Sequence, residues 1–159
     1  MKGGRWGVDA AIGAILFGID RLAKIMALTT LRQGVLHPVG SWAGIQLFWT
    51  LTYNEGAAWG AFDTVPLGLL FFRCFFIGLL LFVYCSSGTP PLSKTAVVVI
   101  LAGAVGNIMD SLVYGRVVDM IHVNFWGWDY PVFNLADAEI CVGVAWLALA
   151  GFFPDKRTG

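Results

Sequence analysis

Four long apolar runs alternate with polar stretches of unequal length: residues 8–28, 65–85, 95–113 and 134–153. A helix rises about 1.5 Å per residue, so about 20 apolar residues cross the hydrocarbon core of a bilayer. All four runs can meet that requirement. The unbroken apolar part of the first, residues 10–19, is short and by itself resembles a signal-peptide core. The apolar pattern continues through Leu22, Ala23 and residues 25–28, and no Ala-x-Ala cleavage site follows, so the run reads as a retained helix. The connection at 86–94 is short, whereas those at 29–64 and 114–133 are long and rich in aromatic, glycine and polar residues. Within them, residues 45–53 and 116–125 alternate or cluster β-branched and aromatic side chains, which predicts short strands. The expected fold class is an all-α membrane protein: one domain, residues 1–159, with four transmembrane helices and short strands in the two long connections.

Composition agrees with a bilayer as solvent. The 159 residues are 58% hydrophobic and 13% charged, where a soluble domain carries about 25% charged residues. Mean hydropathy is +0.75. Ten Lys and Arg balance ten Asp and Glu, so no basic excess is present to neutralise phosphates, and nucleic-acid binding is excluded as a class. Cys74, Cys85 and Cys141 lie in apolar runs without CxxC spacing, which argues against a disulfide framework or a zinc site. Cation placement sets the orientation. Lys2, Arg5, Lys94, Lys156 and Arg157 fall on one side, and only Arg32 and Arg116 on the other, with Arg21, Lys24 and Arg73 in or near the spans. Both termini are therefore expected in the cytoplasm and both long connections outside.

Charged residues within such runs need a reason, because each costs about 2.5–3.5 kcal/mol at a helix centre. Asp20 and Lys24 are four apart on one helix face and can pair. Gly103, Gly106, Asn107 and Asp110 share a face of the third run, which reads either as a packing seam with polar glue or as the wall of a site. Asn134 and Asp137 have capping-box spacing at the start of the fourth run. Asp119 lies a few residues beyond the third run, so one outer connection carries Asp119 and Asp137 to a similar depth. Two carboxylates held close in a low-dielectric site share a proton, and such a pair can activate water and polarise a peptide carbonyl.

Other chemistries fit less well. His37 and His122 are too few for a His-rich metal site, and neither Gly-x-Ser-x-Gly nor His-Glu-x-x-His occurs. A Ser111/Lys24 protease is opposed by Asp20, which would hold Lys24 protonated. A small proton-coupled exporter would need a carboxylate near the bilayer midplane, so the depth of Asp119 and Asp137 separates that class from a protease.

Five segments, in order and spanning nearly the whole chain, resemble the lipoprotein (type II) signal peptidases of bacterial inner membranes. They are Asp20-Arg-Leu-Ala-Lys24, Asn54-Glu-Gly-Ala-Ala-Trp-Gly60, Gly103-Ala-Val-Gly-Asn-Ile-Met-Asp110, Gly115-Arg-Val-Val-Asp119 and Phe133-Asn-Leu-Ala-Asp137. The resemblance implies an aspartyl endopeptidase without cofactor or metal, acting as a monomer in the lipid bilayer. It would cut prolipoproteins just before a cysteine carrying diacylglycerol, near the periplasmic face, and globomycin-type inhibitors would occupy the same site. By motif position Asp119 and Asp137 are the catalytic pair. Asn107 and Asn134 hydrogen-bond the site, Asp110 supports it, and Asp20 and Lys24 sit behind it. Gly103 opens the third motif. Asn54 and residues 56–59 belong to an outer loop that covers the substrate, expected to be mobile across 54–62. A small β-sheet is expected on the outer membrane surface. Two departures stand out: Ala23 where Thr or Ser is common, and Ser111 where the family continues with Arg. Arg116 is the expected substitute cation and the expected partner of Asp110, ahead of Lys24.

Overall fold

The computed structural model describes residues 3–54, 66–86 and 89–152. Four helices and four strands follow in the order α1 (Gly3–Thr30), β1 (His37–Trp42), β2 (Ile45–Asn54), α2 (Pro66–Cys85), α3 (Pro91–Tyr114), β3 (Val117–Phe125), β4 (Trp128–Asp129) and α4 (Leu135–Phe152). The four apolar runs are thus four helices, and both expected strands are present as β2 and β3. The first helix begins earlier than its apolar pattern, because Arg5 and Asp9 form an i,i+4 pair at 3.8 Å that carries the polar first turns. Residues 55–65, which hold most of the expected lid including Trp59, lie outside the described residues, as do Lys2, Lys156 and Arg157.

Helix α3 is the hub, packing against α1, α2 and α4. It starts at Pro91, where the missing N–H costs nothing, and stops at Gly115, whose φ of 71° turns the chain toward β3. Small residues set its spacing from neighbours. A Cβ at Gly103 would run into the Ala136 carbonyl oxygen, and one at Gly106 would stand 2.7 Å from Asp20 Oδ2. Gly143 on α4 similarly admits Ile100. The small positions of the third run are therefore a packing seam, and they also bring polar groups of α1 and α4 against α3.

The strands form one antiparallel sheet in the order β1-β2-β3-β4. Its two hairpins have two-residue tips with positive φ at both positions, Ala43 and Gly44 in one and Trp126 and Gly127 in the other. The pairing that matters for function is β2 with β3, which joins the two long connections and sets Thr52 opposite Asp119 and Asn54 opposite Val117. A register shift between Trp49 and Thr52 bends this pair. Ala27, Leu51, Val118 and Met120 are buried together, fastening the end of α1 beneath the sheet. The sheet therefore caps the end of the bundle where α1 and α3 finish and where α2 and α4 begin.

Among the described residues, Pro91–Tyr114 is long and apolar enough to cross a membrane, and Phe71–Cys85 is a shorter apolar helical stretch. Helix α1 does not qualify by composition, because Arg5, Asp9, Asp20, Arg21 and Lys24 interrupt it. The burial pattern runs opposite to that of a water-soluble bundle. Asp20, Lys24 and Asp110 are 0% exposed, while Phe71 is 74%, Phe82 72% and Leu22 64% exposed.

The seam predicts a stability asymmetry. Gly103→Ala should destabilise the folded bundle by about 1–3 kcal/mol through overpacking against the α4 backbone. Gly78→Ala, where a Cβ meets nothing within 4 Å, should leave it unchanged or slightly more stable. Thermal unfolding in detergent measures both, and equal transition temperatures would refute the close α3–α4 approach.

Candidate active site

The site is built where β3 and α4 meet the end of α3. Asp119 is the third residue of β3 and is 1% exposed. Asn134 and Asp137 form a reciprocal cap on α4: the Asp137 N–H donates to Asn134 Oδ1 at 2.8 Å and the Asn134 N–H donates to Asp137 Oδ2 at 3.3 Å. The capping box read from spacing is present, and its side chains do more than cap. Asn134 Nδ2 donates to Asp119 Oδ1 at 2.6 Å and to Asn107 Oδ1 at 3.1 Å. Asn107 Nδ2 donates to Asp137 Oδ1 at 2.7 Å. A continuous chain, Asp119–Asn134–Asn107–Asp137, therefore links the two carboxylates, and every amide atom in it has one consistent role.

Beneath this chain lies a buried ionic group. Lys24 Nζ is 3.0 Å from Asn107 Oδ1, 2.9 Å from Asp20 Oδ2 and 2.8 Å from Asp110 Oδ2. The Asn107 contact is a hydrogen bond and the two carboxylate contacts are ion pairs, with Asp20 Oδ2 held by charge and not by a hydrogen bond. Arg21 also pairs with Asp110. Asp110 Oδ2 accepts the Val118 N–H at 3.2 Å, and Asp20 Oδ1 accepts the Ala136 N–H at 3.0 Å. Each of these backbone donors is the immediate neighbour of a site aspartate. Asp110 thereby fixes β3 beside Asp119, and Asp20 fixes α4 beside Asp137.

Burial raises the Asp119 carboxyl to about 7, and the nearby charge of Asp137 adds to the shift. Hydrogen bonds from Asn134 and Asn54 and the charge of Lys24 oppose it. Asp119 is thus held near the midpoint of its titration at neutral pH. Elsewhere on the sheet, the exposed Asp129 moves the other way, because Asn124 and His122 hydrogen-bond its charged form.

Most sequence-derived site residues converge here. Asp119, Asp137, Asn107 and Asn134 form the chain, Asp20, Lys24 and Asp110 the ionic group, and Asn54 reaches Asp119 from β2. Gly103 lies below the site, against Ala136. Arg116 is the exception. It does not pair with Asp110 but lies over the Tyr53 ring, 3.7 Å from its centroid. The reason is local: Gly115 turns the chain out of α3 toward β3, while Asp110 faces α1, where Arg21 and Lys24 reach it. The Ser111/Lys24 alternative also fails on geometry, since Ser111 Oγ donates to Asn107 O at 3.0 Å and accepts from Arg73 Nη1 at 2.9 Å.

Arg21, Arg73, Glu139 and Asp9 were not singled out by the sequence reading. Arg21 and Arg73 carried a usable signal, a cation inside an apolar run. Glu139 is 9% exposed, and its Oε2 has no hydrogen-bond partner. Asp9 lies at the far end of the bundle, accepting from Tyr84 at 3.0 Å. Among the described residues no group of three or more His, Cys, Asp and Glu is arranged to hold a metal ion. Beside the site a cavity of about 400 Å³ opens between α2, α3 and α4. Phe72, Phe76, Leu80 and Ile140 line it, with Arg73 and Asn107 as its polar members.

The family described as signal peptidase (SPase) II matches residues 12–153. The lipoprotein signal peptidase of Chlamydia pneumoniae is 35% identical over 147 residues, 88% of either chain. That of Polynucleobacter necessarius is 37% identical over 142 residues, 85% of this chain and 83% of its own. Two solved structures, each described as a bacterial membrane enzyme, superpose with TM-scores of 0.81 and 0.79 at 26% and 27% identity, both covering 96% of this chain and 93% and 95% of their own. A helical fold with a small antiparallel sheet, the ordered motifs and these likenesses agree: the chain belongs to the signal peptidase II family, the proteases that process lipoprotein precursors.

Proposed function

We propose that the chain is an intramembrane aspartyl endopeptidase that cleaves prolipoproteins immediately before a diacylglyceryl-modified cysteine, with Asp119 and Asp137 as its catalytic pair. The observation that carries this reading is the hydrogen-bonded chain Asp119–Asn134–Asn107–Asp137. It joins two carboxylates at one site, and burial raises Asp119 to about 7, which suits it to carry the proton at neutral pH. The ionised carboxylate takes a proton from water as the water oxygen attacks the scissile carbonyl. The protonated one donates to that carbonyl oxygen. Collapse of the tetrahedral intermediate returns the carbonyl, and the proton taken from water passes to the leaving amine. Asn107 and Asn134 keep the pair in register, and Lys24 offsets negative charge from behind.

Four spans, both termini in the cytoplasm and a site near the periplasmic face of a bacterial inner membrane are the accompanying topology. Exposed Phe71, Phe75, Phe82 and Leu22 around a charged interior support a lipid-facing exterior. Arg5 and Lys94 at the end opposite the sheet support the orientation. Asp119 and Asp137 lie at the sheet end, while the deeper Asp110 is ion-paired, an arrangement that favours a surface protease over a midplane proton carrier. The apolar cavity suits acyl chains, which gain about 0.8 kcal/mol per buried CH₂. Lateral access from the bilayer keeps those chains out of water.

Three outcomes test the reading. Asp119→Asn and Asp137→Asn should each lower the cleavage rate of a lipidated precursor by roughly 10²–10⁴-fold while the protein remains folded; near-parental turnover in either would remove that residue from the pair. The pH profile has a defined sign. Below about 7 Asp119 keeps its proton, and above it Asp119 ionises and the proton donor is lost. The value of kcat/KM should therefore fall about tenfold per pH unit on the alkaline side. A profile flat from about pH 6 to about pH 9 would contradict proton sharing. Finally, a precursor without diacylglycerol should be cleaved far more slowly, because acyl-chain binding helps position the peptide; equal rates would indicate a general membrane protease.

A further inference from the structure

Arg73 is the only charged residue in α2 and sits within Phe71-Phe-Arg-Cys-Phe-Phe76. A guanidinium there is costly unless it meets acceptors. Three observations show where it is directed. Its Nη1 donates to Ser111 Oγ at 2.9 Å, and Ser111 in turn donates to the Asn107 carbonyl at 3.0 Å, so the accepting oxygen is itself oriented. Its charge lies within electrostatic reach of both Asp137 and Asp119. It also lines the apolar cavity together with Asn107, the residue that bonds Asp137. Arg73 thus stands where the cavity passes into the pair of carboxylates.

A guanidinium is a planar, permanently charged donor with no acceptor atom, so its ligand must offer acceptor oxygens. We propose that Arg73 is a substrate-positioning residue: steered by Ser111, its guanidinium donates to a carbonyl oxygen of the lipidated precursor where the acyl chains leave the cavity and the peptide reaches the pair. This rests on the aspartyl-peptidase reading and assigns a substrate contact to a helix otherwise apolar along its length. Two carbonyls have the required chemistry, an ester carbonyl of the diacylglyceryl group and a peptide carbonyl beside the modified cysteine.

The test uses the purified full chain in detergent with two synthetic precursors, one bearing a diacylglyceryl cysteine and one its dialkyl ether counterpart, which lacks the ester carbonyls. If the parent protein cleaves neither, the peptidase reading itself fails. If it cleaves, Arg73→Gln should raise KM for the diacyl precursor by about tenfold or more, the loss expected for a charged hydrogen bond, with an unchanged unfolding temperature. Its kcat should stay within about threefold of the parent. Arg73→Lys should recover part of the loss, since the charge remains and the fork does not. Ser111→Ala should raise KM by a smaller factor in the parent and add nothing to Arg73→Gln. The ether precursor identifies the acceptor. An Arg73→Gln effect that vanishes on it assigns the ester carbonyl, and one that persists assigns the peptide carbonyl. Unchanged KM for both precursors in Arg73→Gln overturns the proposal. So does a loss of kcat and unfolding temperature without a KM change, which would reduce Arg73 to a tether between α2 and α3.

Discussion

The architecture depends on the expense of placing carboxylates in an apolar interior. Asp20, Asp110 and Asp119 are almost wholly buried; Lys24 pairs with the first two, Arg21 adds to Asp110, and Asn134 donates to Asp119. Lys24 reaches Asp20 on its own helix and Asp110 and Asn107 on α3, and so draws α1 against α3. The carboxylates it neutralises then accept backbone N–H groups from β3 and α4. Removing one member of such a group leaves the others unpaired, at about 3–5 kcal/mol for a broken buried pair. The ionic group therefore acts as a jig: it is neutralised by cations, whereas the two aspartates above it are linked through asparagine amides.

The sheet supplies the other half of the positioning. Pairing of β2 with β3 sets Asp119 opposite Thr52 and brings Asn54 within reach of its carboxyl. The two connections that form this sheet are far apart in sequence, so the depth of Asp119 is fixed by strand register. Asp137 is fixed by a helix cap. Two unrelated devices, a long-range β-ladder and a local capping box, thus place one carboxylate each, and the asparagine bridge joins them.

The helices were legible because an apolar run of helical length has few alternatives, and β2 and β3 because their side chains suit a half-buried pleated surface. Strand β1 was not, since Pro38 and Gly40 interrupt it and every residue is exposed, so it carries no burial pattern. Strand β4 has only two residues. At the site, spacing revealed the Asp20–Lys24 pair and the Asn134–Asp137 cap because both are local. It gave no access to contacts between elements. The planar fork of Arg116 and its closeness to Asp119 make it the expected partner of Asp110, yet the turn at Gly115 carries it to Tyr53, and the other candidate, Lys24, pairs with Asp110 together with Arg21. Arg73 was passed over as a residue in a span, although a lone cation in an apolar helix is itself a signal of a polar partner on a neighbouring element.

The central claim is that burial and the paired charge leave one proton on the two aspartates at neutral pH. Infrared titration of the intact protein in lipid, with the aspartate carboxyls isotope-labelled, observes that proton directly. The account requires a protonated-carboxyl band that persists through mild acid, disappears with a midpoint near about 7 and is altered in both Asp119→Asn and Asp137→Asn proteins. If all aspartate carboxyl bands vanish near the ordinary value of about 4, the aspartates do not share a proton and the account is wrong.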